Sequence, residues 1–469
     1  MEKNIAKPVS PAYKESLYNY TLELDDGKLM IYNTKTGAIS LIEPDKKTAV
    51  MDVLQGRYFS ENNTPVVDLL KQGFIVKGDR NELDDIKYWH ESYGRLKNLI
   101  QLIILPAEAC NFTCPYCFVY QQRNLFMEEW VYDAIYKYIE KKVSQHSKGM
   151  ALQLSWFGGE PLLASDKIIG FMKKINQLKS SDKNMIINSV LYTNGYLLTP
   201  NLFKLLLDSG IGTFQVTIDG DKESHNQLRR LQTGEPTFDV IYNNLKNISK
   251  LMGKDKEFTF HIRANFLKNS IQSMESFLYK FVADFGPDRR FNIFFRPVYH
   301  FKTTRNDVES VAGDICNSSE GVRGQIDLAF KVLNALSKDA VQKMVNVFNP
   351  LPQPRYTWCT GRNKNIHIIG ADGAVFSCDT LMVEKDESIG EITLDGEIIF
   401  NERAEFWEKS IFEEDNSARE KCLTCKLLPV CLGGCKLAKL VSGDESCFWS
   451  EEVILDSMKK YAGLVLKTT

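Results

Sequence analysis

Between residue 96 and about residue 300, six apolar runs alternate with segments of helical period: LIQLIILP, LQLSWF, MIINSVLYT, TFQVTI, FTFHIRANF and FNIFFRPV. Near-continuous apolar strands are those covered on both faces, and strict strand and helix alternation builds a parallel sheet under a layer of helices. The intervening runs include MEEWVYDAIYKYIEKKV, SDKIIGFMKKINQL, TPNLFKLLLDSG, FDVIYNNLKNISKLM and SMESFLYKFVADFG. Ser165 or Asp166 reads as the N-cap of one helix; Thr199, followed by Pro200 at the first helical position, starts another. Six units rather than eight predict an α/β fold with an open, partial barrel. In such sheets the chemistry gathers at the carboxyl ends of the strands.

The flanks read differently. YNYTLELDDGKLMIYNTKTGAISLI alternates apolar and polar residues around a DDG and a TG turn, which predicts short antiparallel strands. DKKTAVMDVLQ and TPVVDLLKQGF have helical spacing, FIVKG reads as a returning strand, and NELDDIKYWHESYGRLKN as a charged amphipathic connection. Residues 1–95 are therefore expected to form a small hairpin-and-helix module, and 96–300 the barrel. Residues 301–355 form a bridging region with one helical run, GQIDLAFKVLNALSKDAVQKMV, and 356–469 a cysteine-dense domain. That last domain opens with a hairpin at IHIIGADGAVFSC and ends in a helix near EEVILDSMKKYAGLVL.

Bulk properties exclude whole classes of partner. The chain has 469 residues, enough for more than one core, and a net charge of -2 with both signs interspersed. No basic field is present to collect nucleic acid or an anionic membrane. The first twelve residues lack a signal-peptide apolar stretch and no run is long enough to span a bilayer, so a cytoplasmic location without membrane attachment is expected. Eleven cysteines in a reducing compartment point to metal or redox chemistry rather than disulfides.

Immediately after the first barrel strand, AEACNFTCPYCFVY sets Cys110, Cys114 and Cys117 in C-x3-C-x2-C spacing. Three such thiolates can each hold one iron of a [4Fe-4S] cube and leave the fourth iron open; buried structural cysteines, or a zinc site completed elsewhere, are the other readings. With Tyr116 at the aromatic position, the segment resembles the signature of radical S-adenosylmethionine (SAM) enzymes. The resemblance implies a partial (β/α)6 TIM-like barrel in which SAM chelates the open iron and yields a 5'-deoxyadenosyl radical. FGGEP at 157–161 matches that family's motif after the second strand, so Gly158, Gly159 and Glu160 are expected around the methionine ammonium. By the same resemblance Asn194 in YTNG, Thr217 and Arg229 in VTIDGDKESHNQLR, and Arg263 with Asn265 are candidate SAM contacts, Arg229 for the methionine carboxylate.

The C-terminal cysteines carry a second resemblance. Cys359-x13-Gly373-x4-Cys378, then Cys422-x2-Cys425-x5-Cys431-x3-Cys435, then Cys447, resembles the SPASM domain of peptide- and protein-modifying radical enzymes. It implies two auxiliary [4Fe-4S] clusters: an outer one on Cys422, Cys425, Cys431 and Cys447, and an inner one on Cys359, Cys378 and Cys435. Three clusters in all are expected. The inner set is one thiolate short; Cys316 either completes it or is a packed residue. Asp379 matches the catalytic base of sulfatase-maturing relatives, whereas Phe157 stands where those relatives have Gln.

The expectation is a radical SAM/SPASM oxidoreductase that matures a precursor peptide, by preference through a thioether crosslink as in thioether-forming maturases. Its leader would be bound by a winged-helix-like N-terminal module through strand addition, and an electron donor such as flavodoxin or ferredoxin would be needed. Carbon-carbon crosslinking, epimerisation and formylglycine formation are the enzymatic alternatives; a zinc-stabilised peptide-binding module is the non-enzymatic one.

Overall fold

The computed structural model describes residues 13–57, 64–94, 96–119, 124–146, 149–181, 184–251, 253, 257–299, 309–335, 351–356, 366–382, 384–414, 417–442 and 447–468. Its first unit joins strands β1 (Tyr13–Glu15), β2 (Asn19–Glu23), β3 (Leu29–Asn33), β4 (Ile39–Ile42) and β5 (Ile75–Lys77) to helices α1 (Pro44–Leu54), α2 (Thr64–Gln72) and α3 (Glu82–Gly94). Strands β2, β3 and β4 form an antiparallel sheet in that order, turning at the DDG and TG sequences; β5 returns to pair with β1. Helix α3 is part of the unit rather than a tether. Its Glu82 is buried, accepts from Ser16 Oγ at 2.8 Å and lies 3.3 Å from Lys35 Nζ.

The barrel strands follow as β6 (Leu99–Ala107), β7 (Ala151–Gly158), β8 (Ile186–Thr193), β9 (Thr213–Thr217), β10 (Thr259–Phe266) and β11 (Phe291–Pro297). All six are parallel and neighbours in sequence order, as the alternation predicts. Helices α4 (Glu129–Ser144), α5 (Ser165–Ser181), α6 (Pro200–Asp208), α7 (Lys222–Leu228), α8 (Phe238–Leu251) and α9 (Ile271–Phe285) connect them, and α10 (Ser318–Ala335) follows β11. The Thr199 cap forms, accepting from Leu202 N. The Ser165/Asp166 cap does not: a 3-10 turn at Pro161–Ala164 runs straight into α5, so Ser165 is already helical at φ -54°, ψ -39°. Glu160 caps that turn instead. The predicted run 324–345 is helical as far as Ala335, with its start advanced to Ser318; its remainder lies outside the described residues.

The C-terminal strands β12 (Ile366–Ile369), β13 (Ala374–Phe376), β14 (Gly390–Ile392) and β15 (Ile398–Phe400) do not form a separate sheet. Strand β12 pairs parallel with β6, Ile366 opposite Gln101 through Ile369 opposite Ile104, and the rest continue antiparallel. One sheet of ten strands therefore runs from β11 to β15. Buried Glu108 pins the join by accepting from Ala371 N at 3.0 Å. The N-terminal unit packs on the far C-terminal residues: Tyr20, Met30 and Tyr32 share a core with Leu427, Val430, Ile454 and Met458.

No described helix is long and apolar enough to cross a membrane. The barrel core is aromatic at one end, where buried Phe203 meets the rings of Phe214, Phe258 and Phe260 at 4.8, 5.0 and 5.5 Å between centroids. Phe203→Ala removes that wedge from between α6 and the sheet. It should cost about 3–5 kcal/mol of stability, read as a lower urea midpoint with the six-stranded topology retained.

Candidate functional site

The cysteine loop leaves β6 and is held on both sides by backbone. Thr113 N donates to Arg230 O at 3.0 Å, Gln232 N to Asn111 O at 2.9 Å, and Gln232 Nε2 to Cys110 O at 2.8 Å. From the other side, Gly159 N donates to Ala107 O and Glu160 N to Ala109 O, at 3.0 and 2.8 Å. The two glycines serve this contact: a Cβ on Gly159 would stand 2.3 Å from Ala109 O, and Gly158 has a φ of +121°. Their close approach is thus to the chain leading into Cys110. Cys110, Cys114 and Cys117 lie in one another's electrostatic field; burial is the main influence on each and pushes Cys110 and Cys114 up to about 12. As free thiols they are neutral, and a cationic metal centre is what would deprotonate them.

Glu160 is fully buried and within the field of Cys110. Its Oε1 accepts from Leu162 N (3.0 Å) and Thr193 Oγ1 (2.7 Å), its Oε2 from Asn194 N (2.7 Å). Burial raises its pKa, and those three donors oppose the rise. A carboxylate has about four acceptor sites, so one is left for a further donor. Asn194 is committed to the loop, its Nδ2 donating to Asn111 Oδ1 at 2.8 Å.

Asp219, between Ile218 and Gly220, is the residue that the motif reading passed over. Fully buried, it accepts from the Tyr116 hydroxyl and from Asn265 N (2.8 Å) and lies 3.7 Å from Arg229 Nη1. Arg229 Nη1 also donates to Tyr116 Oη at 2.8 Å, and the guanidinium stands 5.6 Å over the Phe112 ring. Burial works against the Arg229 charge, but the hydrogen bond to Tyr116 and the Asp219 carboxylate beside it oppose that, and its pKa lies well above the ordinary value. Arg263 Nε donates to Asn265 Oδ1 at 2.8 Å. Thr217 closes β9 opposite Arg263, and its hydroxyl makes no hydrogen bond among the described residues. A second unforeseen residue, His225, lies behind the knot: its Nδ1 accepts from Asp219 N (3.2 Å), and its Nε2 faces Thr237 Oγ1 (3.0 Å), which donates to Arg229 O (2.5 Å). The signal for Asp219 was its carboxylate between apolar Ile218 and a glycine at a strand end; His225 had none.

The C-terminal cysteines separate into two groups. Cys422, Cys425 and Cys447 all act on Cys431, whose thiol burial pushes up to about 12. Cys378 and Cys435 pack together against Val375, Leu381, Trp407 and Leu437. Cys431 and Cys435 are only four residues apart, and Leu432, Gly433 and Gly434 between them all have positive φ (47°, 85° and 75°), reversing the chain. Cys359 lies outside the described residues. Cys316 is buried in the barrel core, where Glu320 and Lys268 set its surroundings and no described cysteine does. Asp379 keeps surface that water reaches, yet burial by the protein around it is the largest influence on its carboxyl and raises its pKa. Arg263 and Tyr192 from the barrel ends lie within its electrostatic reach. Among the described residues no three His, Cys, Asp or Glu side chains are gathered as for a single metal ion.

Residues 104–278 match the Radical SAM superfamily. The chain carries a radical SAM domain. The serine-type anaerobic sulfatase-maturating enzyme of Bacteroides thetaiotaomicron is 26% identical over 167 residues, covering 34% of this chain and 39% of that enzyme. This match spans well under half of the relative's length. The cysteine-type anaerobic sulfatase-maturating enzyme of Clostridium novyi is 22% identical over 368 residues, 73% of this chain and 89% of the relative. Among solved structures, native anSMEcpe with bound AdoMet and Kp18Cys peptide has a TM-score of 0.54 at 20% identity, covering 79% of this chain and 99% of that one.

A radical SAM domain takes SAM and a [4Fe-4S] cluster, and the donors here fit both. Three thiols share one loop, and Arg229 Nε is buried with no protein partner among the described residues. An orphaned guanidinium donor beside the cysteine loop suits a carboxylate acceptor.

The neutral His225 makes the radical SAM site sensitive to acid. Burial, then the Arg229 charge, holds its pKa well below the ordinary histidine value. Below the unfolded value of about 6.5 the unfolded chain takes up a proton that the folded chain refuses, so stability falls by up to ~1.4 kcal/mol per pH unit. In His225→Asn, whose Oδ1 can still accept from Asp219 N, that share disappears. Urea titrations from pH 7 to 5 should therefore show the wild type losing stability relative to the variant.

Proposed function

We propose that this chain is a radical SAM peptide maturase with two auxiliary [4Fe-4S] clusters in a SPASM-type C-terminal domain. The observation that carries this reading is Asp379: it follows Cys378, yet its carboxyl lies within electrostatic reach of Arg263 and Tyr192 at the barrel ends. This supports an inner cysteine group near the mouth that the cysteine loop closes. The SAM-bound cluster, when present, supplies the radical that takes hydrogen from a substrate carbon. The remaining work falls to the chain. Glu160 offers its last acceptor site to the methionine ammonium and Arg229 Nε its donor to the carboxylate. The Asp219 knot keeps the loop and strand ends in register, and Asp379 receives the proton released as the substrate radical is oxidised. Cys359, Cys378 and Cys435 would hold the inner cluster and Cys422, Cys425, Cys431 and Cys447 the outer one, a partition supported by the two groupings.

Two reactions compete. Thioether formation is preferred because Cys316 stands apart in the barrel core, which leaves the inner set one thiolate short and able to take a substrate thiolate. Formylglycine formation is favoured by the sulfatase-maturating relatives and by Asp379. The N-terminal unit, with β4 at the edge of its sheet, would take the leader as an added strand, and a flavodoxin or ferredoxin would supply electrons.

Reconstituted protein should hold ~12 irons and cleave SAM reductively to 5'-deoxyadenosine. Replacing Cys110, Cys114 and Cys117 together by Ala should remove ~4 of those irons and abolish cleavage; zinc in place of iron would support the binding-module reading. With a cysteine-containing precursor, a product that has lost two hydrogens and its free thiol but kept its sulfur identifies the thioether. Loss of the sulfur with a new aldehyde identifies formylglycine, and an unchanged peptide would sink both.

A further inference from the structure

The barrel interior carries a polar row that the radical SAM site leaves unused. On β9, β10 and β11, Phe214, Val216, Phe260, Ile262, Phe291 and Ile293 are buried in the core that the helices cover. Gln215, His261 and Asn292 alternate with them and therefore point the other way, into the barrel. His261 is the register partner of both Gln215 and Asn292, so the three stand side by side on adjacent strands, with backbones about 4.8 Å apart. The row continues to Tyr192 on β8, the other register partner of Gln215. The Tyr192 ring meets Phe157 edge to face with centroids 5.3 Å apart, and Phe157 stacks at 6.2 Å on Phe118, which follows Cys117. Thr217 and Arg263, themselves register partners, lie two residues further along the same strands, about 6.6 Å toward the mouth. The row is thus the first layer beneath these candidate SAM contacts.

Barrel interiors are ordinarily filled by branched apolar residues. Here three neighbouring positions hold an amide, an imidazole and an amide. All three are half-buried, and among the described residues none of these side chains makes a hydrogen bond. Such groups are satisfied by water or by a ligand. Burial lowers the His261 pKa, so at neutral pH the ring offers one donor and one acceptor. Gln215 and Asn292 each add two N–H donors and a carbonyl. Arg263, on the next layer, already has Asn265 Oδ1 at 2.8 Å from its Nε and the Asp379 carboxyl in its field. An uncharged row of mixed donors and acceptors complements a group of the same kind, and a carboxamide is one: it has an N–H, a C=O and no charge to leave unpaired.

We propose that Gln215, His261 and Asn292 form a seat for an uncharged amide group of the substrate, directly beneath the radical site. That the amide belongs to a peptide rests on the peptide-maturase reading. It is either the main chain beside the attacked residue or the side chain of an Asn or Gln, since both present the same N–H and C=O. Held there, one layer below Thr217 and Arg263, it would fix how deeply the substrate enters the barrel.

The test uses reconstituted holoenzyme under anaerobic conditions and four small probes, titrated by saturation-transfer NMR with and without saturating SAM. N-acetylglutamine methylamide carries a side-chain and a main-chain amide. N-acetylnorleucine methylamide lacks the first, N-acetylnorleucine methyl ester lacks the terminal amide as well, and N-acetylglutamate methylamide exchanges the side-chain amide for a carboxylate. Affinity should drop at least ~5-fold at one of the two deletions, and the deletion at which it drops names the source. The double substitution Gln215→Leu and Asn292→Leu should abolish that drop, whereas His261→Asn, which keeps a donor and an acceptor, should retain part of it. If the double variant fails to hold iron, His261→Phe decides by the same criterion. Equal binding of the glutamine, norleucine and ester probes, as expected of a lumen that holds water only, would overturn the proposal. So would a drop that survives the leucine substitutions, a glutamate probe that binds more tightly than the glutamine one, or displacement of the probes by SAM. Iron content and 5'-deoxyadenosine formation are measured on the same preparations. Amide preference in protein without iron or SAM cleavage would sink the maturase reading and leave the seat; active, iron-loaded enzyme indifferent to the amide would sink the seat alone.

Discussion

A carboxylate with no exposure to water, that of Asp219, holds together parts of the chain that are remote in sequence. The Tyr116 hydroxyl comes from the cysteine loop, Arg229 from the end of α7, and the Asn265 N–H from β10. Removing any one partner leaves a buried charge or a buried donor unpaired, which costs far more than the net value of the bond itself. The cysteine loop is therefore tied down by the protein on either side: its aromatic residue is anchored from above and its backbone is clamped by residues 230–232 and by Gly159. Preformed donors lower the ordering cost of whatever binds there.

The parts of this arrangement visible in the sequence were those whose chemistry is local. Cysteine spacing, the Gly-Gly-Glu segment and the six apolar runs each depend on residues close together, and the structure places them at one mouth of one sheet. What escaped depended on distant partners. Asp219 looks like the first half of a turn until Tyr116 arrives from a hundred residues away, and His225 is an ordinary helix residue until its ring is found against the Asp219 N–H. Gly158 and Gly159 are expected from the motif around the methionine ammonium, and the motif says nothing of the close packing that also requires them: the atoms nearest a Cβ there are carbonyl oxygens of the protein itself. Ser165 has a good capping side chain, but the preceding 3-10 turn had already started the helix, with Glu160 as its cap.

The two C-terminal cysteine groups illustrate how little sequence distance means in this region. Cys431 and Cys435 would be neighbours on a helix face if the chain continued as α-helix. Three successive left-handed residues turn them away from each other, at a site where Leu432 adopts a conformation that usually belongs to glycine. The packing of the N-terminal unit against Leu427 and Val430 braces this reversal from outside.

The pairing of β12 with β6 has a consequence for the order in which the protein can be made. Strand β6 is synthesised early, but its second neighbour is encoded more than two hundred and fifty residues later. Until residue 366 has left the ribosome, one margin of the barrel presents an unpaired row of amide and carbonyl groups from a very apolar strand, the kind of edge on which unfinished chains aggregate. Completion of the sheet thus waits for the cysteine-rich end of the chain. A polypeptide truncated before that point is left with a barrel that cannot close its own edge.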